Sequence, residues 1–380
     1  MTSKRSENSS PHSDFVIPSS LDIRYSSFST GPIASASQLA DLLPQLEKAD
    51  RVAVDTEADS LHCYREKLCL IQLSLPGRDY VVDPLAGVDL AQLCATLEQK
   101  EIVLHGADFD LRLLRRGLSF TAQHLFDTVI AARLLGIREF SLAALVKRYF
   151  GVELGKGSQK ANWARRPLPA RMLEYAVNDT HYLLPLAERL ESQLKQCDRI
   201  DWLRQSCQRA IEQAAVERVR DEDEAWRIRG SASLRGRAAA VLRALWQWRE
   251  KEAEAADRPP FHILQNHELL NAAVSFASES VPDYRHFSSR RRQAFRAAAQ
   301  SALQSRESEW PISRRGSGTR PSSGMIARTE ELRRRRDRAA MELDLEPSFI
   351  APRSTLGVIA TDQTCATTLL VPWQRELLEV

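Results

Sequence analysis

The sequence predicts an α/β domain on a mixed sheet, followed by purely helical domains. Two observations carry this. Valine-rich, alternating runs dominate up to about residue 105 and then give way to apolar residues at helical spacing. From about residue 200 onward strand signals vanish.

The elements follow in order. RVAVD (51–55) alternates with a period of two and reads as a buried strand, which places Asp55 and Glu57 side by side on one face at its end. LCLIQLSL (68–75) and YVVD (80–83) continue as strands, with hairpin chemistry in the intervening PGRD. A helix over 88–99 precedes a further strand, EIVLH (101–105). Helical periodicity then runs through 110–117, 128–135 and 141–149, and one long amphipathic helix covers 169–195. Residues 218–236 form a charged junction punctuated by Gly and Ser, and WPISRRGSGTRPSSG (310–324) is a linker by composition. The polar stretch 1–21 lacks a signal-peptide core and predicts disorder.

A chain of 380 residues, 43% of them hydrophobic, can fill the cores of two or three domains. No apolar run approaches the roughly 18–20 residues of a membrane span, so no membrane partner is expected. Six cysteines without a C-x-x-C pair argue against a disulfide framework or a zinc site and fit a reducing cytoplasm. The net charge of +3 conceals an asymmetry: residues 1–200 carry 24 basic and 25 acidic groups, residues 201–380 carry 29 and 25. Between Arg285 and Arg338 there are 15 arginines against 5 acids. This suits a polyanionic partner, although a solvated face or linker is the plain alternative.

Residues 245–273 lie without gaps over 332–360, an offset of 87. Arg249 falls on Arg336, Pro260 on Pro347, Ile263 on Ile350 and Leu269 on Leu356. Each copy reads as helix, proline-marked turn, short helix. A duplicated helical module is the expectation; two unrelated helical hairpins are the bland reading.

Chemistry concentrates in three motifs: VAVDTEADS with Asp55 and Glu57, HGADFDLRLL with Asp110, and EYAVNDTHYLL with Tyr175 and Asp179. Four carboxylates converging on one site would repel and raise one another's pKa values. Two divalent cations remove that problem and create a centre for attack on a phosphodiester. Oxygen donors of this kind suit Mg²⁺ or Mn²⁺ rather than zinc. Asp-x-Glu alone is common and reads as a surface pair by default. In the second motif Asp108 looks like a helix N-cap, and Asp127 looks like the cap of the next helix. Tyr175 and Asp179, at i and i+4, share a helix face, where the hydroxyl can reach an attacking water. Tyr175 as a plain core residue is the alternative.

The order and spacing of these motifs resemble the DEDD superfamily of 3′→5′ exonucleases, in the branch whose third motif reads Tyr-x-x-x-Asp. The segment KGSQKANWARRPLPARMLEYAVND is similar to the approach to that motif in ribonuclease D and its exosome-associated relatives. ALRALWQWREKEAEAADRPPFHILQNHELL resembles the HRDC domain, and the second copy resembles the HRDC-like unit that closes bacterial ribonuclease D.

The resemblance implies an α/β ribonuclease H-like exonuclease domain (22–205), an HRDC domain (222–306), a linker (307–324) and a second HRDC-like domain (325–380). It selects Asp110 over Asp108. It implies Asp55, Glu57, Asp110 and Asp179 as metal ligands for two Mg²⁺ or Mn²⁺ ions, with Tyr175 as the fifth catalytic residue. Substrate contacts would fall to His105, Lys156, Gln159, Trp163 and Arg165, with Trp163 equally able to anchor its loop. The implied activity is 3′→5′ exoribonuclease action on RNA with an accessible 3′ end, tRNA precursors among the candidates, by a protein favoured as a monomer. A DNA exonuclease similar to that of the Werner helicase, and a catalytically dead nucleic-acid-binding scaffold, are the rival readings.

Overall fold

The computed structural model describes residues 31–155, 157–217, 221, 223–312 and 322–380. The expected disordered N-terminus (1–21), parts of the 218–236 junction and the middle of the 310–324 linker lie outside them.

Five strands form one sheet: β1 (Arg51–Ala58), β2 (Leu68–Leu75), β3 (Arg78–Val82), β4 (Glu101–Leu104) and β5 (His124–Asp127), in the order β3-β2-β1-β4-β5. The first three strands are antiparallel, while β4 and β5 run parallel to β1, so the sheet is mixed. Helices α1 (Ala36–Glu47), α2 (Ala91–Leu97), α3 (Asp108–Leu118), α4 (Thr128–Leu134) and α5 (Leu142–Phe150) accompany it. They are followed by α6 (Ala170–His181), α7 (Leu183–Gln196) and α8 (Ile200–Ala215).

The long helix expected over 169–195 is two helices. Pro185 lies three residues into α7, and its missing N–H would have had to bond the carbonyl of residue 181. Periodicity alone runs through the break because both halves are amphipathic.

Cross-strand partners point to the same side of a sheet. The pairs Ala53↔Ser74, Asp55↔Gln72 and Glu57↔Leu70 therefore share a face, and Ser74↔Asp79 and Gln72↔Val81 extend it to β3. Leu70 and Val81 on that face pack with Met172 and Ala176 of α6, so α6 covers the face that carries the first-motif acids.

Behind the catalytic fold, α9 (Gly236–Ala255), α10 (Pro260–Ile263), α11 (Asn266–Ala277) and α12 (Ser289–Gln304) enclose a core of their own around Trp248, Phe276 and Phe295. Then come α13 (Ser323–Glu342), α14 (Pro347–Ile350), α15 (Arg353–Thr361), α16 (Ala366–Leu369) and α17 (Pro372–Leu378). The bounds of α9 and α10 recur in α13 and α14 at an offset of 87, and α15 starts 87 residues after α11. Detail recurs too. Arg249 donates to the Leu264 carbonyl (3.1 Å) and Arg336 to the Ala351 carbonyl (3.0 Å). Asp257 and Asp344, at the matching turns, both adopt positive φ.

Each of those aspartates docks on the catalytic domain, at different places. Asp257 accepts from the Tyr64 N–H (3.2 Å), beside the Arg65–Glu254 pair (2.8 Å). Asp344 pairs with Arg138 (2.9 Å) over Gly136, where an added Cβ would meet the Asp344 carbonyl at 2.5 Å. The second unit is fused more deeply: its Ile350, Leu356 and Trp373 belong to the same continuous core as the sheet. Trp373 stacks on Trp202 at 4.9 Å, and its indole N–H donates to Ser206 (3.0 Å).

The arginine excess is partly neutralised. Arg291 pairs with Glu252, Arg292 with Asp283, Arg334 and Arg335 with Glu331, and Arg336 with Asp337. Along α13 the plain reading, a solvated and self-paired helix face, describes most of the run. No described helix is long and apolar enough to cross a membrane.

Candidate active site

The site forms where β1 outruns its neighbour β4. Their pairing ends at Ala53, so Asp55, Thr56 and Glu57 extend beyond it. Asp110, in the first turn of α3, fills part of the gap: one carboxylate oxygen accepts from both the Thr56 N–H (3.1 Å) and the Thr56 hydroxyl. Asp55 and Glu57 project from the face that α6 covers, and α6 brings Asp179 to them. Carboxylate oxygens of Asp55, Glu57 and Asp179 lie within 4.8 Å of one another. Asp110 is not part of that triplet; it stands beside it, close enough for its charge to act on Asp55, Glu57 and Asp179.

Electrostatics follow from burial and crowding. Desolvation is the leading cause at every acid. Asp55 is held well above the ordinary carboxylate range by burial and by the charges of Asp110, Asp179 and Glu57. Glu57 is pushed up to about 9 by burial, Asp179 and Asp110. Asp179 rises to about 7, moderated by the Tyr175 hydroxyl, and Asp110 to about 6, moderated by its Thr56 bonds. Burial and the neighbouring carboxylates push the Tyr175 phenol up as well, with Gln159 acting in the opposite sense.

These acids line an open cleft of about 780 Å³, together with His105, Ser141, Leu142, Gln159, Lys160 and Tyr175. The segment 157–160 crosses the Tyr175 ring so closely that a Cβ on Gly157 would sit 3.0 Å from it. His105 faces the cleft with a defined tautomer. The Thr128 hydroxyl donates to the Leu104 carbonyl (3.1 Å), so it accepts from His105 Nδ1 (2.8 Å), which leaves Nε2 as an acceptor. Burial lowers the His105 pKa, favouring that neutral form.

The other expected residues divide. Gln159 lines the cleft beside Tyr175. Trp163 does not present a face to a ligand: it is 1% exposed, packed with Met172 and 6.2 Å from the Tyr175 ring, so its role is to anchor the loop. Arg165 is exposed and outside the cleft lining. Lys156 lies outside the described residues. Asp108 is not an N-cap; α3 begins at that residue, which pairs with Arg112 (2.9 Å). Asp127 does cap α4, and it also binds the Gly106 and Ala107 N–H groups (3.1 and 2.8 Å) at the approach to α3. Sequence reasoning passed over Lys160, a cation at the cleft in the same KGSQK run as Gln159, and Thr56, which fixes Asp110.

The donor set suits a divalent cation: hard carboxylate oxygens, close together, whose charges are costly to bury without a counter-ion.

Comparison with known proteins agrees with this geometry. Residues 32–195 match the family model described as 3′-5′ exonuclease, and residues 238–277 match the HRDC domain. Ribonuclease D of Sphingobium indicum is 33% identical over 246 residues, which cover 63% of this chain and 63% of that protein. The chain thus spans less than two thirds of the length of that curated relative. The catalytic core of RRP6 from Trypanosoma brucei is 28% identical, with a TM-score of 0.62 over 72% of this chain and 81% of that one. Escherichia coli RNase D shares the fold over 93% of this chain and 99% of that one, with a TM-score of 0.68 at 22% identity.

Proposed function

We propose that this chain is a 3′-5′ exonuclease of the ribonuclease D type, with an HRDC domain after the catalytic one, and that it shortens RNA from the 3′ end, releasing 5′-mononucleotides. The observation that carries this reading is the convergence of Asp55, Glu57 and Asp179 within 4.8 Å beside the Tyr175 hydroxyl, in a cleft open to solvent.

Asp55, Glu57 and Asp179 would hold one of two divalent cations, Mg²⁺ or Mn²⁺, and Asp55 with Asp110 the other. When bound, such cations lower the pKa of a water and offset charge on the leaving 3′ oxygen. Tyr175, kept protonated by its raised pKa, orients the attacking oxygen through its hydroxyl. His105 Nε2 accepts a hydrogen bond from a ribose hydroxyl of the terminal nucleotide, and Lys160 meets a phosphate at the cleft. Exposed arginines of the first helical module, such as Arg290 and Arg296 on α12, hold the folded body of the RNA by its phosphates. Precursors of tRNA have such a body and an unpaired 3′ end, and a monomer suffices for the task.

The test is a 5′-labelled RNA with an unpaired 3′ tail, incubated with the protein and Mg²⁺, Mn²⁺ or EDTA, beside the matched DNA strand. A metal-dependent ladder shortening from the 3′ end of the RNA is the expected result. Intact RNA that is nonetheless bound would overturn the enzyme reading, and faster loss of the DNA would overturn the substrate assignment.

A further inference from the structure

His181 follows Asp179 by two residues yet plays no part in the chemistry above. Its Nδ1 lies 2.8 Å from a carboxylate oxygen of Asp79, a β3 residue only 2% exposed. The other Asp79 oxygen accepts from the Ser74 hydroxyl of β2, which lies 2.7 Å from the hydroxyl of fully buried Thr180. Two consecutive residues of α6 are thus tied to two strands through a connected set of polar contacts. A carboxylate accepts only, so His181 Nδ1 is the donor in its contact.

The register gives this network its significance. Asp79, Ser74 and Ala53 are successive cross-strand partners, and Asp55 follows Ala53 by two residues on the same face. The network therefore fixes α6 against the face from which Asp55 and Glu57 project, one residue away from Asp179. Apolar contacts of Met172 and Ala176 hold α6 to the sheet without specifying its position along the strands to a fraction of an ångström. Hydrogen bonds to a buried carboxylate are directional and do specify it.

We propose that His181 and Asp79 are positioning residues that set the placement of Asp179 for cation binding, an inference that rests on the metal-centre reading above. His181 acts at one remove, as outer partners of metal ligands do.

The experiment uses the full chain and Mn²⁺ as the probe, with free Mn²⁺ followed by electron paramagnetic resonance and folding followed by thermal melting. His181→Phe keeps a ring against Tyr182, which the histidine meets edge-on at 4.7 Å, and removes the donor. It is expected to weaken Mn²⁺ binding by about 10-fold. His181→Asn places an amide N–H near the Nδ1 position and is expected to recover most of the loss. Wild-type Mn²⁺ affinity in folded His181→Phe overturns the positioning role while the metal centre stands. Should His181→Phe not fold, Asp79→Asn keeps the size and removes the charge: weakened binding supports the role and wild-type binding overturns it. Asp179→Asn is the control. An unaltered isotherm there overturns the metal centre itself, and the positioning role with it.

Discussion

Replacing Asp179 with asparagine removes one of the carboxylates that crowd the site while keeping the size and an acceptor for Tyr175. In the metal-free protein this change is expected to stabilise the fold. At 4.8 Å, the limit within which these carboxylate oxygens lie, two full charges repel by about 3.5 kcal/mol at an effective dielectric constant near 20. Part of that is already relieved by protonation, since Glu57 titrates near 9 and Asp179 near 7. A net gain of about 2 kcal/mol at pH 8 is the working figure, or about 4–8 °C in melting temperature for a domain of this size. The assay is thermal unfolding in EDTA at pH 8 and pH 5. A carboxyl whose folded pKa exceeds its unfolded value stabilises the fold while protonated, and that contribution is lost as pH rises through the folded pKa. The advantage of Asp179→Asn must therefore shrink at pH 5, where the wild-type acids regain their protons. An unchanged or lower melting temperature at pH 8 would refute the claim that these acids strain one another.

Other consequences follow from the same geometry. The metal-free wild type should lose stability as pH rises from about 5 to 9, the span set by Asp110, Asp179 and Glu57, and saturating Mg²⁺ should flatten that slope; parallel curves with and without Mg²⁺ would count against it. Tyr175→Phe should cost about 10²-fold in kcat with Mn²⁺ affinity retained, since the hydroxyl orients and does not ligate; an unchanged kcat would remove it from the chemistry. Trp373→Ala should destabilise the catalytic core by about 3–5 kcal/mol although it lies some 190 residues beyond Asp179, because Trp373 is 1% exposed and stacked on Trp202; a shift under about 1 kcal/mol would show the second helical unit to be separable.

That last expectation revises the domain picture read from the sequence. A second HRDC-like unit looks like a detachable RNA-binding module when only its helices and its linker are visible. Its apolar residues are in fact continuous with the sheet's core, so removing it would expose apolar surface of the catalytic domain. Local sequence carries a helix's apolar face but not the identity of what covers it. The same limit explains Trp163, whose sequence context allows a stacking platform or an anchor equally; burial against Met172 decides for the anchor. The acids were legible for a different reason. Their motifs foretold a convergence, and Asp55, Glu57 and Asp179 do meet within 4.8 Å, but Asp-x-Glu alone reads as a surface pair and the choice of Asp110 over Asp108 needed the family resemblance. The offset of 87 was legible because it is carried by prolines and an arginine whose backbone contacts recur in both copies. Asp108 misled because an aspartate before a helical run is the usual sign of a cap, whereas here α3 already begins at Asp108 with no side-chain cap, and the Gly106 and Ala107 N–H groups before it bind Asp127 of the adjacent strand β5.

Whether Asp55, Glu57, Asp110 and Asp179 form a divalent-cation centre is open to direct observation. Anomalous diffraction from crystals grown with Mn²⁺ tests it most directly. A strong peak bounded by the Asp55, Glu57 and Asp179 carboxylates is expected, with a second one between Asp55 and Asp110. A map with no peak at these residues in saturating Mn²⁺ would contradict it.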